Sequence, residues 1–273
     1  MPCSTTSYDY LRKLVQAQSA NVIGSAHDKL FNMRLTSMAT LAGAAGLDDF
    51  VEMLRKQPAG KLHYKVAEAM TINETSFFRD VRTFETIRNV LLPRIIDARR
   101  AQRRLRIWSA ACSTGQEAAS IAMLLSDRFP EVMDWDVRII GTDIADNVVE
   151  RARTGRYRRN EINRGLPARL LVKYFTRHGD EWELDGRLRR MCEFTHINLC
   201  EPLPEMPQFD LVLLRNVLLY FSPQDRTCVL NAAHRLLASD GYLVLGAAEQ
   251  AEDSTDLFQA EFGGESFFYR SAA

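Results

Sequence analysis

The run Asn73-Glu74-Thr75-Ser76-Phe77-Phe78-Arg79 sets a polar triplet, two adjacent aromatics and an arginine within two helical turns. Read as a helix, it puts Thr75 and Arg79, four residues apart, on one face. A hydroxyl and a planar cation framed by aromatics suit a small anionic or polar ligand. The same residues also suit a plain N-capped helix, with Asn73 or Thr75 as cap and Phe77 and Phe78 in its core. A second candidate is Ala111-Cys112-Ser113-Thr114-Gly115-Gln116-Glu117, a turn of small residues between a strand and a helix, whose backbone N–H groups can approach a ligand. It is no G-x-G-x-x-G, and no lysine follows its glycine, which argues against NAD and against a P-loop nucleotide. Asp143 ends the next strand, where an acid accepts hydrogen bonds from a ribose or caps the following helix. A turn without phosphate-binding glycines beside a ribose acid fits a nucleoside lacking a pyrophosphate, such as S-adenosylmethionine. The third candidate is Leu214-Arg215-Asn216-Val217-Leu218-Leu219-Tyr220-Phe221. Polar residues directly after an apolar strand sit at a sheet's carboxyl edge, where substrates bind. A capping Arg215 and a core Tyr220 are the plainer alternatives.

The elements that position these residues follow from periodicity. A chain of 273 residues is long enough for two unequal domains. Residues 8–70 carry apolar side chains at helical spacing (Leu11, Leu14, Val15, then Leu30, Met33, Leu35, Met38), punctuated by Gly24, Gly43, Gly46 and Pro58-Ala59-Gly60. They predict short helices in a helical domain over 1–82. A longer helix is expected over 83–104, with a kink or break at Pro93. From residue 105 to 273 strand and helix alternate, with strands at 105–110, 137–143, 209–214 and 241–246 and an edge strand near 265–270. Helices are expected near 118–125, 145–152 and 224–237. This predicts an α/β domain, a parallel sheet covered by helices. Residues 151–196 interrupt the alternation and are rich in arginine. They read as an insertion, a small subdomain at about 160–196 with short strands around Gly186. Its arginines form either a solvated basic face or a docking surface for an acidic partner.

Composition narrows the partners. Lys+Arg 35 against Asp+Glu 35 gives no net charge, so nothing draws the whole chain towards nucleic acid or an anionic membrane. There is no apolar run of transmembrane length and no signal pattern at Met1-Pro2-Cys3, so no membrane insertion is expected. Five scattered cysteines without C-x-x-C argue against disulfides and zinc and for a reducing cytoplasm. The five histidines show no ligand spacing, and no metal is expected.

With Asn73–Arg79, the 108–117 stretch, Gly141-Thr142-Asp143, Asn198-Leu199 and Arg215–Phe221 together, the chain resembles the chemotaxis-receptor methyltransferase (CheR) family over nearly its whole length. The resemblance implies a small all-α N-terminal domain on a class I S-adenosylmethionine-dependent (Rossmann-like) methyltransferase domain with an inserted β-subdomain. It implies transfer of a methyl group to glutamate side chains in the cytoplasmic helical domain of bacterial chemoreceptors, by a monomer. The cofactor contacts it implies are Asn73, Thr75, Arg79, Glu117, Asp143, Asn198, Leu199, Arg215 and Asn216, with Arg79 and Tyr220 at the reacting groups. A glutamate, with an unperturbed pKa of about 4.3, needs no general base, so positioning and exclusion of water suffice. The chain departs from the family at Ala118-Ala119, where Pro-Tyr is usual, and at Gly246-Ala247-Ala248-Glu249, which lacks the usual His-Ser or Ala-Ser. The insertion around 179–186 is shorter than in members that grip a receptor-tail peptide, which favours tail-independent docking. The same ester chemistry on another signalling protein, and an inactive cofactor-binding module, are the alternatives.

Overall fold

A computed structural model describes residues 3–251 and 256–272. Met1 and Pro2, where the sequence was inspected for a signal pattern, lie outside them. The chain forms two compact units: one runs to Ile72 and includes Tyr220–Arg226, the other holds Asn73–Leu219 and the chain from Thr227.

The first unit is helical: α1 (Thr5–Ser19), α2 (Asp28–Leu41), α3 (Leu47–Arg55) and α4 (Lys61–Met70). Ser4 caps α1, and the Asp48 carboxylate in the first turn of α3 accepts from the Ser4 hydroxyl (2.7 Å) and N–H (3.0 Å). Leu11, Leu14, Val15, Phe31, Leu35, Phe50, Val51, Leu54, Val66 and Met70 make its core. On α2 the buried face is Phe31, Leu35 and Ala39, at steps of four, whereas Met33, read from the sequence as part of the apolar stripe, is 78% exposed. The 220–226 segment joins this unit through the Val22 N–H, which donates to the Tyr220 carbonyl at 2.8 Å, and a bridge between Asn21 and Phe221.

The second unit opens with α5 (Val81–Thr86), a π-helical turn (Ile87–Leu91) and α6 (Leu92–Arg99). The expected helix to 104 thus ends five residues earlier. Pro93 does not break it: Leu92 N–H bonds the Ile87 carbonyl, five residues back, and the widened turn accommodates the proline ring at the start of α6. Strand and helix then alternate through β1 (Arg104–Ala110), α7 (Gln116–Arg128), β2 (Asp136–Asp143) and α8 (Asp146–Thr154). The arginine-rich stretch supplies β3 (Arg156–Arg158), α9 (Arg159–Ile162), α10 (Ala168–Tyr174), β4 (Phe175–His178), β5 (Glu181–Leu184), α11 (Gly186–Arg190) and β6 (Cys192–His196). The chain finishes with β7 (Phe209–Leu214), α12 (Pro223–Leu236), β8 (Leu237–Leu245), β9 (Phe258–Gly263) and β10 (Ser266–Ser271).

Among the described residues the main sheet has seven strands in the order β6-β2-β1-β7-β8-β10-β9. The first five are parallel; β10 and β9 add antiparallel. Two of these strands were not read from the sequence. β6 pairs with β2 at one edge although it lies in the stretch taken as an insertion, and β9 pairs with β10 at the other. β6 buries none of its residues and β9 only Phe258, so neither shows the apolar run of a buried strand. The small sheet is β3-β5-β4, and Gly186 starts a helix rather than a hairpin. Most arginines of this stretch are paired locally: Arg151 with Glu161, Arg156 and Arg189 with Glu183, Arg169 with Asp127, Arg187 with Asp185. Arg156 and Arg189 share one carboxylate, and Arg159, Arg177 and Arg190 are exposed and make no ion pair among the described residues.

Candidate cofactor and methyl-transfer site

Strand order reverses between β1 and β7, and a reversal opens a crevice at the carboxyl ends of the strands. Ala110 pairs with Thr142 and with Leu214, Leu214 with Leu245, and Asp143 with His196. The turns after β1, β2, β6, β7 and β8 therefore lie side by side along this one edge.

The turn after β1 bends through left-handed residues, Ala111 (φ 55°), Ser113 (φ 50°) and Gly115 (φ 88°). At Gly115 a Cβ would lie 3.0 Å from the Ala152 Cβ and 3.1 Å from the Phe194 ring, so the turn is pressed onto α8 and β6. Asp143 holds it from the next strand. Its Oδ2 accepts from Ser113 N–H (2.8 Å) and its Oδ1 from Ala145 N–H (3.0 Å). Burial pushes the Asp143 carboxyl above its ordinary pKa, opposed by these backbone hydrogen bonds. Each oxygen keeps a second lone pair for a ligand hydroxyl. Beyond β6, Ile197 N–H donates to the Asp143 carbonyl (3.0 Å), which brings Asn198 and Leu199, both buried, to the same edge. The Asn198 Oδ1 accepts from Cys200 N–H at 3.1 Å.

The Asn73–Arg79 run is not helical, contrary to the helical reading, but a loop in the sheet unit. Anchors distant in sequence override its local helix signal. The Asn73 carbonyl accepts from Ser113 Oγ (2.8 Å), and Phe78 N–H donates to Ser120 Oγ (3.0 Å). Phe77 is fully buried with its ring centroid 4.9 Å from that of Tyr157 and 5.8 Å from that of Phe175, in the core beside the small sheet. Phe78 packs edge-on to Phe84 at 5.2 Å. Phe78 (φ 50°) and Asp80 (φ 60°) take left-handed backbone, which a helix does not allow. Thr75 and Arg79 thus do not share a helical face. The Arg79 guanidinium donates to the Glu74 carbonyl (2.9 Å).

Arg215, directly after β7, closes the loop from below. Its side chain is 2% exposed, and it donates to Glu117 Oε2 (2.7 Å), the Arg79 carbonyl (2.7 Å) and Asp80 Oδ2 (2.9 Å). Its guanidinium lies 5.4 Å from the Phe84 ring centroid, and its Nε has no partner among the described residues. Ser109 Oγ supplies the second bond to Glu117, at 2.7 Å. Glu117 and Arg215, both read from the sequence as cofactor contacts, therefore grip each other in this structure.

Glu249 went unnoticed as a site residue. Its buried carboxylate accepts from the N–H groups of Asn216 (2.6 Å), Gly246 (2.7 Å) and Leu219 (3.3 Å), tying the turns after β7 and β8 together. A Cβ on Gly246 would stand 2.5 Å from that carboxylate, so the position takes only glycine. Asn216 is thereby held at φ 59°. The sequence showed it in the Gly246–Glu249 turn, four residues beyond β8, where a single acid is too common to mark a site. Tyr220 ends a 3-10 turn (Leu218–Tyr220) and counts with the other compact unit.

The side chains of Asn73, Thr75 and Asn216 make no hydrogen bonds among the described residues. With the lone pairs left on Asp143 and the buried Leu199, they offer hydroxyl, amide and carboxylate groups beside an apolar surface. That donor set suits an uncharged ribose and base and the polar end of an amino acid, which is the chemistry of S-adenosylmethionine. Fold and site together define a class I S-adenosylmethionine-dependent methyltransferase. A family model described as "CheR methyltransferase, SAM binding domain" matches residues 73–266. The chain is 33% identical to chemotaxis protein methyltransferase 1 of Pseudomonas aeruginosa, covering 99% of this chain and 100% of that one. It is 34% identical to chemotaxis protein methyltransferase Cher2 of Pseudomonas putida over 95% of each chain, and 34% identical to a chemotaxis protein methyltransferase of Vibrio parahaemolyticus over 94% and 93%. The chain belongs to the CheR methyltransferase family. No helix among the described residues is long and apolar enough to cross a membrane.

Proposed function

We propose that this chain methylates glutamate side-chain carboxylates in the cytoplasmic helical domain of bacterial chemoreceptors, forming methyl esters, and that it does so as a cytoplasmic monomer. The reading is supported by near full-length likeness to proteins named chemotaxis protein methyltransferases. S-adenosylmethionine, when bound, supplies an electrophilic methyl group on a positively charged sulfur. Asp143, Asn73, Thr75, Asn198, Leu199 and Asn216 hold and orient it. Glu117 and Arg215 contribute through the clasp that fixes Arg79. Arg79 steers the incoming carboxylate, and Tyr220 faces the reacting groups. The acceptor is already ionised at neutral pH, so these residues orient it and exclude water without moving a proton. Arg79 works best as a guide, because a tight grip on the carboxylate would stabilise the ground state and slow transfer.

The test is incubation with methyl-labelled cofactor and a receptor cytoplasmic fragment, followed by mild alkali. The label is expected to leave as methanol. Label that resists alkali, as on lysine or nucleic acid, would exclude the reading.

A further inference from the structure

A cavity of about 660 Å³ opens beside the site, between the start of α5, the turn after β8 and the β9–β10 hairpin. Phe258, Ala260, Phe262, Phe267 and Tyr269 give it an apolar wall. Phe262 and Phe267 are 65% and 60% exposed, with ring centroids 5.1 Å apart, so a pair of aromatics stands at its mouth in water. Ser266 Oγ is buried in the lining with no hydrogen-bond partner among the described residues. Arg82, also in the lining, is exposed and makes no ion pair among the described residues.

Two features join this cavity to the methyl-transfer site. Its lining includes Asp80, which Arg215 grips, and Glu249, which accepts from the N–H groups of Asn216 and Gly246. Among the described lining residues the carboxylates of Asp80 and Glu249 are thereby engaged, which leaves Glu265 as the acid free to oppose Arg82. We infer that the cavity receives an apolar side chain from the helical segment of the substrate protein that carries the methyl-accepting glutamate, with Arg82 facing that segment's acidic residues. The inference rests on the protein-carboxylate reading above. A helix that presents a glutamate to the site carries its neighbouring side chains three and four residues away on the same face. An apolar one there enters the aromatic wall, and its carboxylate neighbours meet Arg82. Ser266 Oγ is left to donate to a polar group of the incoming segment.

Two variants test this in the full-length protein with S-adenosylmethionine and a receptor cytoplasmic fragment. Ala260→Trp, at an exposed position of β9, fills the cavity; Arg82→Glu reverses the rim charge. Each is expected to raise KM for the receptor fragment about tenfold, the effect of one lost interface anchor. kcat and calorimetric cofactor affinity are expected to stay at wild-type values, which also reports that the variants fold. Arg82→Glu is further expected to flatten the salt dependence of KM. Wild-type KM in both variants would overturn the inference while leaving the ester reading intact. A wild-type protein that forms no alkali-labile ester would overturn that reading instead. A wild-type dimer in sedimentation that Ala260→Trp disperses would assign the cavity to a second copy of the chain and overturn the inference as well.

Discussion

Arg215 and Glu117, 98 residues apart in sequence, meet at 2.7 Å in a setting that leaves Arg215 only 2% exposed. Through this pair the end of β7 and the first turn of α7 hold the 73–80 loop, because the same guanidinium also binds the Arg79 carbonyl and Asp80. Arg215→Ala strands a carboxylate with little water around it and is expected to cost roughly 3–5 kcal/mol of stability by chemical denaturation. In a double-mutant cycle with Glu117→Gln the losses are expected to be less than additive. Additive losses would mean that the two side chains act independently.

Gly141 of β2 faces Phe194 of β6, its register partner. A Cβ at Gly141 would stand 2.5 Å from the Phe194 ring. Gly141→Ala is therefore expected to lower stability by roughly 1–3 kcal/mol. In a Phe194→Ala background the same change is expected to be nearly neutral, within about 0.5 kcal/mol. Denaturant midpoints of the four proteins decide it.

Much of this was legible in the sequence, for a physical reason. β1, β2 and β7 are central strands, β7 buried throughout, β1 buried beyond Arg104 and β2 buried from Gly141 onward, and their apolar-rich runs announced them to within a residue. β6 and β9 are edge strands with at most one buried residue each, and nothing local distinguished Cys192–His196 from its arginine-rich surroundings. The candidate site residues were singled out in the sequence by their position after strands. Their mutual arrangement was not legible there, because it depends on contacts such as Ser113 with Asn73 and Arg215 with Asp80, remote in sequence. For that reason the 73–79 run read as a helix although it is a loop pinned at both ends.

Asp143 predicts a pH dependence of definite sign. Its folded pKa is raised by burial, so as pH rises past the ordinary carboxyl value of about 3.9 the unfolded chain releases a proton that the folded chain retains. The group's effect is absent below that value and grows unfavourable to folding as pH climbs through the folded pKa. Thermal denaturation across a pH series is expected to show Asp143→Asn gaining on wild type as pH rises through this window. If, as proposed, the ionised form accepts from the cofactor's hydroxyls, cofactor affinity is expected to run the other way, strengthening with pH in wild type only.

Arg79, the residue proposed to steer the carboxylate, lies on a loop whose backbone is held by other residues, so removing its side chain leaves the anchors in place. Arg79→Ala is expected to abolish transfer while keeping the denaturation midpoint near that of wild type. Activity within a few-fold of wild type would make Arg79 structural only.

The proposed reaction leaves the methyl group on a glutamate carboxylate of a chemoreceptor. Tandem mass spectrometry of the receptor cytoplasmic domain, after incubation with this protein and S-adenosylmethionine, locates it directly. One added methyl mass is expected on glutamate residues of the helical domain, removed by mild alkali. A methyl mass on lysine, arginine or the chain termini, stable to alkali, would contradict it.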